Sequence, residues 1–205
     1  MGKMDEVIIV VPREQLFQGE ELSFQGVQRD PAAVAALDRI IAENYTTMRR
    51  GDAEDNEAYK QPIPYCVIRR GNEIYMYRRL GGGGEARLHD KLSIGAGGHM
   101  NDIDRAESFQ EVLRINLERE LEEELSIESR SREFTTIGFI NDDDNEVGKV
   151  HIGLLVILDI EEGGTVEVRE TDQLQGEWIS AQGLLHEDIY EKLETWSQIA
   201  AKVLV

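Results

Sequence analysis

Hydrophobic positions recur along this chain with two spacings, and the change from one to the other marks out its elements. Leu113, Leu117, Leu121 and Leu125 fall at i, i+4 steps and form one helical stripe. From Asn116 to Ile127 there is no Gly, Pro or β-branched run, so the helix is expected to continue to Ile127. Upstream, Glu6–Val11 (EVIIVV) reads as a strand stopped by Pro12, and Arg13–Asp30 has no clear period and reads as loop with a short turn. Pro31 opens a helix reaching about Tyr45, with Asp30 as its cap. Gly51–Asn56 (GDAEDN) reads as a polar surface loop, and Pro64–Arg70 with Glu73–Arg79 reads as a hairpin turning at Gly71-Asn72. Phe134–Ile140, Val150–Ile160, Thr165–Val168 and Gly176–Ser180 read as further strands, with an acidic loop at Asn141–Glu146. A last helix is expected from about Asp188 to Val203, its apolar side formed by Ile189, Leu193, Trp196, Ile199, Ala200 and Val203. Strands mixed with helices, without an internal repeat, indicate an α/β fold.

Composition narrows this picture. The chain has 205 residues, 40% hydrophobic and 31% charged, enough for one well-buried domain of 62–205 with an N-terminal extension of 1–61, or marginally for two domains. That strand-helix extension reads as packed on the domain, serving as an added subdomain or as a dimerisation element that would make the protein a homodimer. No apolar run approaches the roughly 20 residues that span a bilayer, and the start MGKMDEVIIVV lacks a signal-peptide layout. Cys66 is the one cysteine, sits in an apolar strand and reads as core, which fits a cytoplasmic protein with no membrane partner. The net charge of −19 repels nucleic-acid backbones, so a duplex partner is not expected. A small phosphorylated substrate would be repelled too, unless metal cations neutralise its site.

The leucine stripe has acidic company. At about 100° per residue, Glu120, Glu123 and Glu124 share an arc of roughly 100°, so their oxygens can converge. Like charges at i, i+4 repel, as in Glu118/Glu122 and Glu120/Glu124. A helix that tolerates this faces open water or holds a cation, and hard oxygen ligands suit Mg²⁺ or Mn²⁺. On charge alone the solvated face is the commoner case.

The surrounding pattern changes that balance. Arg119-Glu120-Leu121-x-Glu123-Glu124-x-Ser126-Ile127, preceded by Gly97-Gly98, resembles the Nudix (MutT-like) hydrolase signature G-x5-E-x7-R-E-U-x-E-E-x-G-U, with U aliphatic. The R-E-U-x-E-E core matches at every specified position. Ser126 stands where the last glycine would cap the helix in a left-handed conformation. The glycine pair lies further upstream than the spacing demands, so the segment carries an insertion. Either Glu107 or Glu111 then takes the place of the isolated glutamate. One account lengthens the helix by a turn at its start, with Asp104 as cap and Glu107 closing a capping box.

The resemblance implies an α/β/α sandwich with a mixed sheet and hydrolysis of a diphosphate linked to another group. It implies Glu120, Glu123 and Glu124 as Mg²⁺ ligands (Mn²⁺ as substitute), joined by the backbone carbonyl of Gly97, with Gly98, Glu107 and Glu111 structural in the box. Arg119 is expected to orient a glutamate, a surface pair with Glu122 or Glu123 being its plainer role. The general base is Glu120 or, on a later loop, Glu170. His99 and Arg79 are candidate contacts to substrate phosphate, and Gly81–Gly84 with Arg87 a weaker phosphate-loop candidate. Asp142, Asp143 and Asp144 would hold an extra metal or simply be soluble surface. Two other functions share the fold: a nucleotide sensor without turnover, disfavoured by the intact carboxylates, and an isoprenyl diphosphate isomerase, which would need Cys66 as a reactive thiol. Tyr65, Tyr75, Tyr77 and Trp178 read equally as core or as a base-stacking pocket.

Overall fold

A computed structural model of the chain describes residues 2–79, 91–169 and 174–205, with Arg79 described by its backbone alone. Gly81–Gly84, Arg87 and Glu170 therefore lie outside the described residues, as does the Arg79 side chain. The architecture is mixed α/β, as expected. In chain order it comprises β1 (Val7–Pro12), α1 (Arg13–Leu16), β2 (Gly26–Gln28), α2 (Pro31–Asn44), β3 (Thr46–Arg49), α3 (Arg50–Ala53), β4 (Tyr59–Arg70) and β5 (Glu73–Arg79). There follow β6 (Leu92–Ser93), β7 (Gly95–Ala96), α4 (Phe109–Glu124), β8 (Leu125–Glu128), β9 (Arg132–Asn141), α5 (Glu146–Val150) and β10 (His151–Ile160). The last elements are β11 (Thr165–Val168), β12 (Leu174–Ser180), α6 (Glu187–Tyr190) and α7 (Thr195–Leu204). The main sheet is hydrogen-bonded in the order β12-β5-β4-β10-β9-β2. The chain forms two compact units: Met1–Pro64, Gly98–Glu118 and Gly138–Leu154 make the first, and Tyr65–Gly97, Arg119–Ile137 and Leu155–Val205 the second.

In the first unit β1 pairs antiparallel with β3, Val7 opposite Arg49 through Val10 opposite Thr46, and Val11 faces Lys60 of β4. Asp30 caps α2 as read, its carboxylate accepting from the Ala32 and Ala33 amides at 3.1 and 2.9 Å. The core joins Ile9, Val11, Phe17, Leu37 and Ile41 to Met100, Phe109, Val112, Leu113, Phe139 and Ile152. Three local readings are corrected here. Residues 13–30 contain α1 and β2, the latter held as a strand by pairing Val27 with Ile140 of β9. Gly51–Asn56 is partly α3, because Ala53 is buried against Ile8 and Val10. The helix of the signature starts at Phe109 without an added turn. Ser108 Oγ accepts from the Glu111 amide at 3.3 Å, and Glu111 Oε2 accepts from the Glu107 amide at 2.8 Å. Asp104 and Glu107 precede the helix because a turn from Ile103 to Ala106 packs both of those residues on the core.

In the second unit β5 runs antiparallel between β12, with Gly176 opposite Tyr77, and β4, with Arg69 opposite Ile74. The hairpin turns at Gly71-Asn72 as read, and Gly71 adopts φ +58°, where a side chain would be strained. Gly95 on β7 lies flat beneath the Tyr65 ring, which an added Cβ would enter at 2.1 Å. The final helix, expected unbroken, is two helices. Leu193 bridges to Leu92, the Glu194 amide donates to the Leu92 carbonyl at 2.9 Å, and the Glu194 carboxylate turns inward to Ser93 and Tyr65. Those contacts pull residues 191–194 out of helical geometry. No helix among the described residues is long and apolar enough to cross a membrane.

Candidate functional site

The last two turns of α4 are apolar on one side and acidic on the other. Leu117, Leu121 and Leu125 are buried, Glu122 and Glu123 are exposed, and Glu120 and Glu124 are half-buried. The Glu120 side chain is 14% exposed, and its Oε1 accepts from the Arg119 guanidinium at 2.8 Å. It is a charge-assisted bond to one carboxylate oxygen. No basic residue lies in the last turn of α4, so its carboxylates stand at the negative end of the helix dipole. Glu120, Glu123 and Glu124 share this side of the helix without being drawn together in this structure, and as hard oxygen donors they are of the kind that suits a small divalent cation. The donor set fits Mg²⁺ or Mn²⁺.

The chain leaves this helix differently from the expected left-handed cap. It enters β8 directly, Ser126 lies opposite Glu167 of β11, and Ser126 is not among the residues with positive φ. Serine serves here because an extended exit has no need of glycine. Arg169 closes the turn from the far side, its amide donating to the Glu124 carbonyl at 2.9 Å and its Nε to the Leu125 carbonyl at 3.0 Å. This satisfies carbonyls that the helix end leaves open. Arg169 was missed in the sequence because nothing there shows a residue on β11's exit reaching back to α4.

The segment after the glycine pair is fixed in the first unit by a reciprocal amide pair. Asn116 Oδ1 accepts from the Asn101 amide and Asn116 Nδ2 donates to the Asn101 carbonyl, both at 2.9 Å. Asn116 is 1% exposed, a buried polar residue in the leucine stripe whose spacing gave it no role. His99 on this segment is turned inward. Its Nε2 lies 2.7 Å from Gln61 Oε1, 3.3 Å from His151 Nε2 and 3.6 Å from Glu54 Oε1. Burial, then Arg50 and His151, push its pKa down to about 3. Burial thus disfavours a positive charge on this imidazole.

The acidic loop is also spoken for. Asp142 accepts from Gln25 at 2.7 Å and from Asn145 at 2.5 Å, and Asp143 accepts from Arg13 at 2.8 Å and Lys60 at 2.6 Å. These carboxylates bind side chains of the protein, which overturns their reading as an extra metal site. Cys66 is buried, and burial pushes its thiol pKa up, away from nucleophilic chemistry. Tyr65, Tyr75 and Tyr77 are core, and Trp178 packs edge-on against Tyr75 beneath Arg70.

No family model matches the chain. Protein YmaB of Bacillus subtilis (strain 168) is 53% identical over 205 residues, the whole of both chains. The crystal structure of Tm1382, a candidate Nudix hydrolase, superposes with a TM-score of 0.77 at 30% identity, covering 97% of this chain and 98% of that one. The chain belongs to the Nudix hydrolase family. DR0079 from Deinococcus radiodurans shares the Nudix chain's fold at a TM-score of 0.50 and 15% identity, covering 78% of this chain and 89% of that one. The R-E-L-E-E-E run lies on α4 of this Nudix fold, and residues 99–108 before it are irregular rather than extra helix.

Proposed function

We propose that this Nudix hydrolase catalyses Mg²⁺-dependent hydrolysis of the diphosphate bond in a small nucleoside-diphosphate-linked or related phosphorylated compound. The observation that carries the reading is the carboxylate set Glu120, Glu123 and Glu124 at the acidic end of α4, with Arg119 clamped on Glu120. Those three side chains, with the Gly97 carbonyl, would hold the metal. When bound, the metal screens the phosphates and lowers the pKa of bound water. Arg119 steadies Glu120 through the hydrogen bond to its Oε1. Glu120 or Glu170 accepts the proton of the attacking water as general base. The water attacks one phosphorus, the bridging P–O bond breaks, and the other phosphoryl group leaves with the bridging oxygen. Arg79 is the candidate contact to substrate phosphate. Glu111 and Glu107 act within the box by holding the start of α4 through their mutual hydrogen bond.

The test is a panel of nucleoside triphosphates, dinucleoside polyphosphates, nucleoside-diphosphate sugars and NAD with Mg²⁺, scored by phosphate or pyrophosphate released. At least one compound should turn over. Glu123→Gln should lower that rate by at least ~10²-fold, while the fold stays intact by circular dichroism. Equal turnover by the variant removes the metal role, and tight binding without release from any compound converts the protein into a sensor.

A further inference from the structure

Apart from the box carboxylates, the first unit gathers a second donor set. Glu54 follows α3, Gln61 lies in β4, His99 follows Gly98, and His151 opens β10. His151 Nδ1 lies 2.7 Å from the Val147 carbonyl, so this nitrogen carries the proton and donates it. Its Nε2 lone pair then points toward His99 Nε2 at 3.3 Å and Glu54 Oε2 at 4.0 Å. A backbone carbonyl holding Nδ1–H is the usual support of a metal-binding imidazole, because it sets both tautomer and ring direction. Two nitrogens each about 2.0–2.1 Å from a tetrahedral zinc ion lie about 3.3–3.4 Å from one another. The two imidazoles stand at that spacing; without metal His99 Nε2–H donates to Gln61 Oε1 beside the His151 Nε2 lone pair, so a bound metal displaces that proton and His99 takes its Nδ1–H tautomer.

Gln61 supplies the second observation. It is fully buried, its Oε1 touches His99, and its Nε2 has no hydrogen-bond partner among the described residues. A buried amide donor left without an acceptor costs about 1–3 kcal/mol, and an oxygen held at this cluster would satisfy it. Arg50 completes the surroundings, its Nε donating to Glu54 Oε1 at 3.1 Å and holding the carboxylate from outside.

We propose that Glu54, His99 and His151 form a binding site for a divalent transition metal of the zinc class, with Gln61 Nε2 donating to a water in the remaining position. Two imidazole nitrogens and one carboxylate suit zinc, cobalt or nickel, whereas magnesium is served by oxygen ligands such as those of the box. One carboxylate facing Arg50 gives little net charge, so the imidazoles select the metal. Once filled, the site fastens the segment after Gly98 to the end of α3 and the start of β10. It is independent of the hydrolytic reading, because none of its ligands belongs to the Glu120–Glu124 set.

The test uses the full chain carrying Glu123→Gln, so that the box contributes little, stripped with a chelator and titrated with Co²⁺ and then Zn²⁺. One zinc per chain and intense visible cobalt bands of a low-coordinate nitrogen–oxygen site are expected. Adding Glu54→Gln or His151→Ala should weaken zinc binding by more than about tenfold. Absence of cobalt bands in the parent overturns the site without recourse to any further variant. Undiminished zinc affinity in Glu54→Gln or in His99→Asn, each with wild-type circular dichroism, overturns it as well, and covers the case in which His151→Ala does not fold.

Discussion

Lys60 is 0% exposed near the start of β4, where burial lowers its pKa and the Asp143 carboxylate works the other way. Nζ donates to Asp143 Oδ1 at 2.6 Å, to the Gly148 carbonyl at 2.7 Å and to the His151 carbonyl at 3.3 Å. Burial works against the Asp143 carboxylate, but hydrogen bonds from Arg13 and Lys60 outweigh it and hold its pKa at about 2. Removing that counter-charge leaves a buried cation unpaired. Asp143→Asn should therefore cost about 3–5 kcal/mol in urea unfolding. Adding Lys60→Met to the same chain should recover part of the loss, because no charge is then left to solvate. A loss below ~0.5 kcal/mol for the single variant would mean that water reaches Lys60. The sequence could show Asp142–Asp144 as three charges, yet not their partners. Gln25 and Arg13 sit in a stretch without period, and Lys60 precedes the point where the hairpin strand was expected to begin. The Glu54–His99–His151 cluster was hidden for the same reason: its members come from separate elements, each a lone polar residue in its own neighbourhood.

Elements whose stability is local were legible, and those made by tertiary contact were not. α2 carries its own cap and the β4–β5 hairpin its own turn, so α2 stands close to its expected limits and the hairpin turns where expected, although β4 begins five residues before Pro64. β2 is three half-buried residues that become a strand only through β9, and the break between α6 and α7 exists because Leu92 takes Leu193. α4 is the instructive mixture, with its acidic ligands given by spacing while both of its ends are set by residues outside it. Two neighbouring glutamates on its last turn separate ligand from mere charge. Glu122 is exposed and repels Glu118 one turn earlier. Without metal, Glu122→Gln should stabilise the protein by about 0.3–1 kcal/mol, since it removes a negative charge from the negative end of the helix. Mg²⁺ at about 100 times its Kd should then add roughly 2.7 kcal/mol to both wild type and Glu122→Gln. Glu123→Gln should show no such rise in Tm. A metal-dependent rise that survives in Glu123→Gln would place the cation elsewhere.

At the scale of the whole chain, 41 acidic residues face 22 basic ones, a net charge of −19. Fixed charges of one sign destabilise a compact state by self-repulsion. Ion pairs act the other way, and several lie on the surface, among them Arg49–Asp52 at 2.7 Å and Arg114–Glu118 at 2.9 Å. Such exposed pairs contribute only ~0.2–1 kcal/mol each and lose it as salt rises. Each surface pair also leaves the acidic excess untouched, because it removes one charge of either sign. Repulsion therefore dominates, and its range shrinks from about 30 Å at 0.01 M salt to about 8 Å at 0.15 M. Chelator-treated protein should melt about 2–4 °C higher at 0.15 M than at 0.01 M sodium chloride, the shift that ~1 kcal/mol produces for a chain of this size. In magnesium the same salt step should matter less, because bound cations already offset part of the excess. A melting temperature that falls with salt in the chelated protein would mean that its ion pairs, rather than its surplus of carboxylates, govern its electrostatics. The link drawn between that acidity and a need for divalent metal at α4 would then have no physical basis.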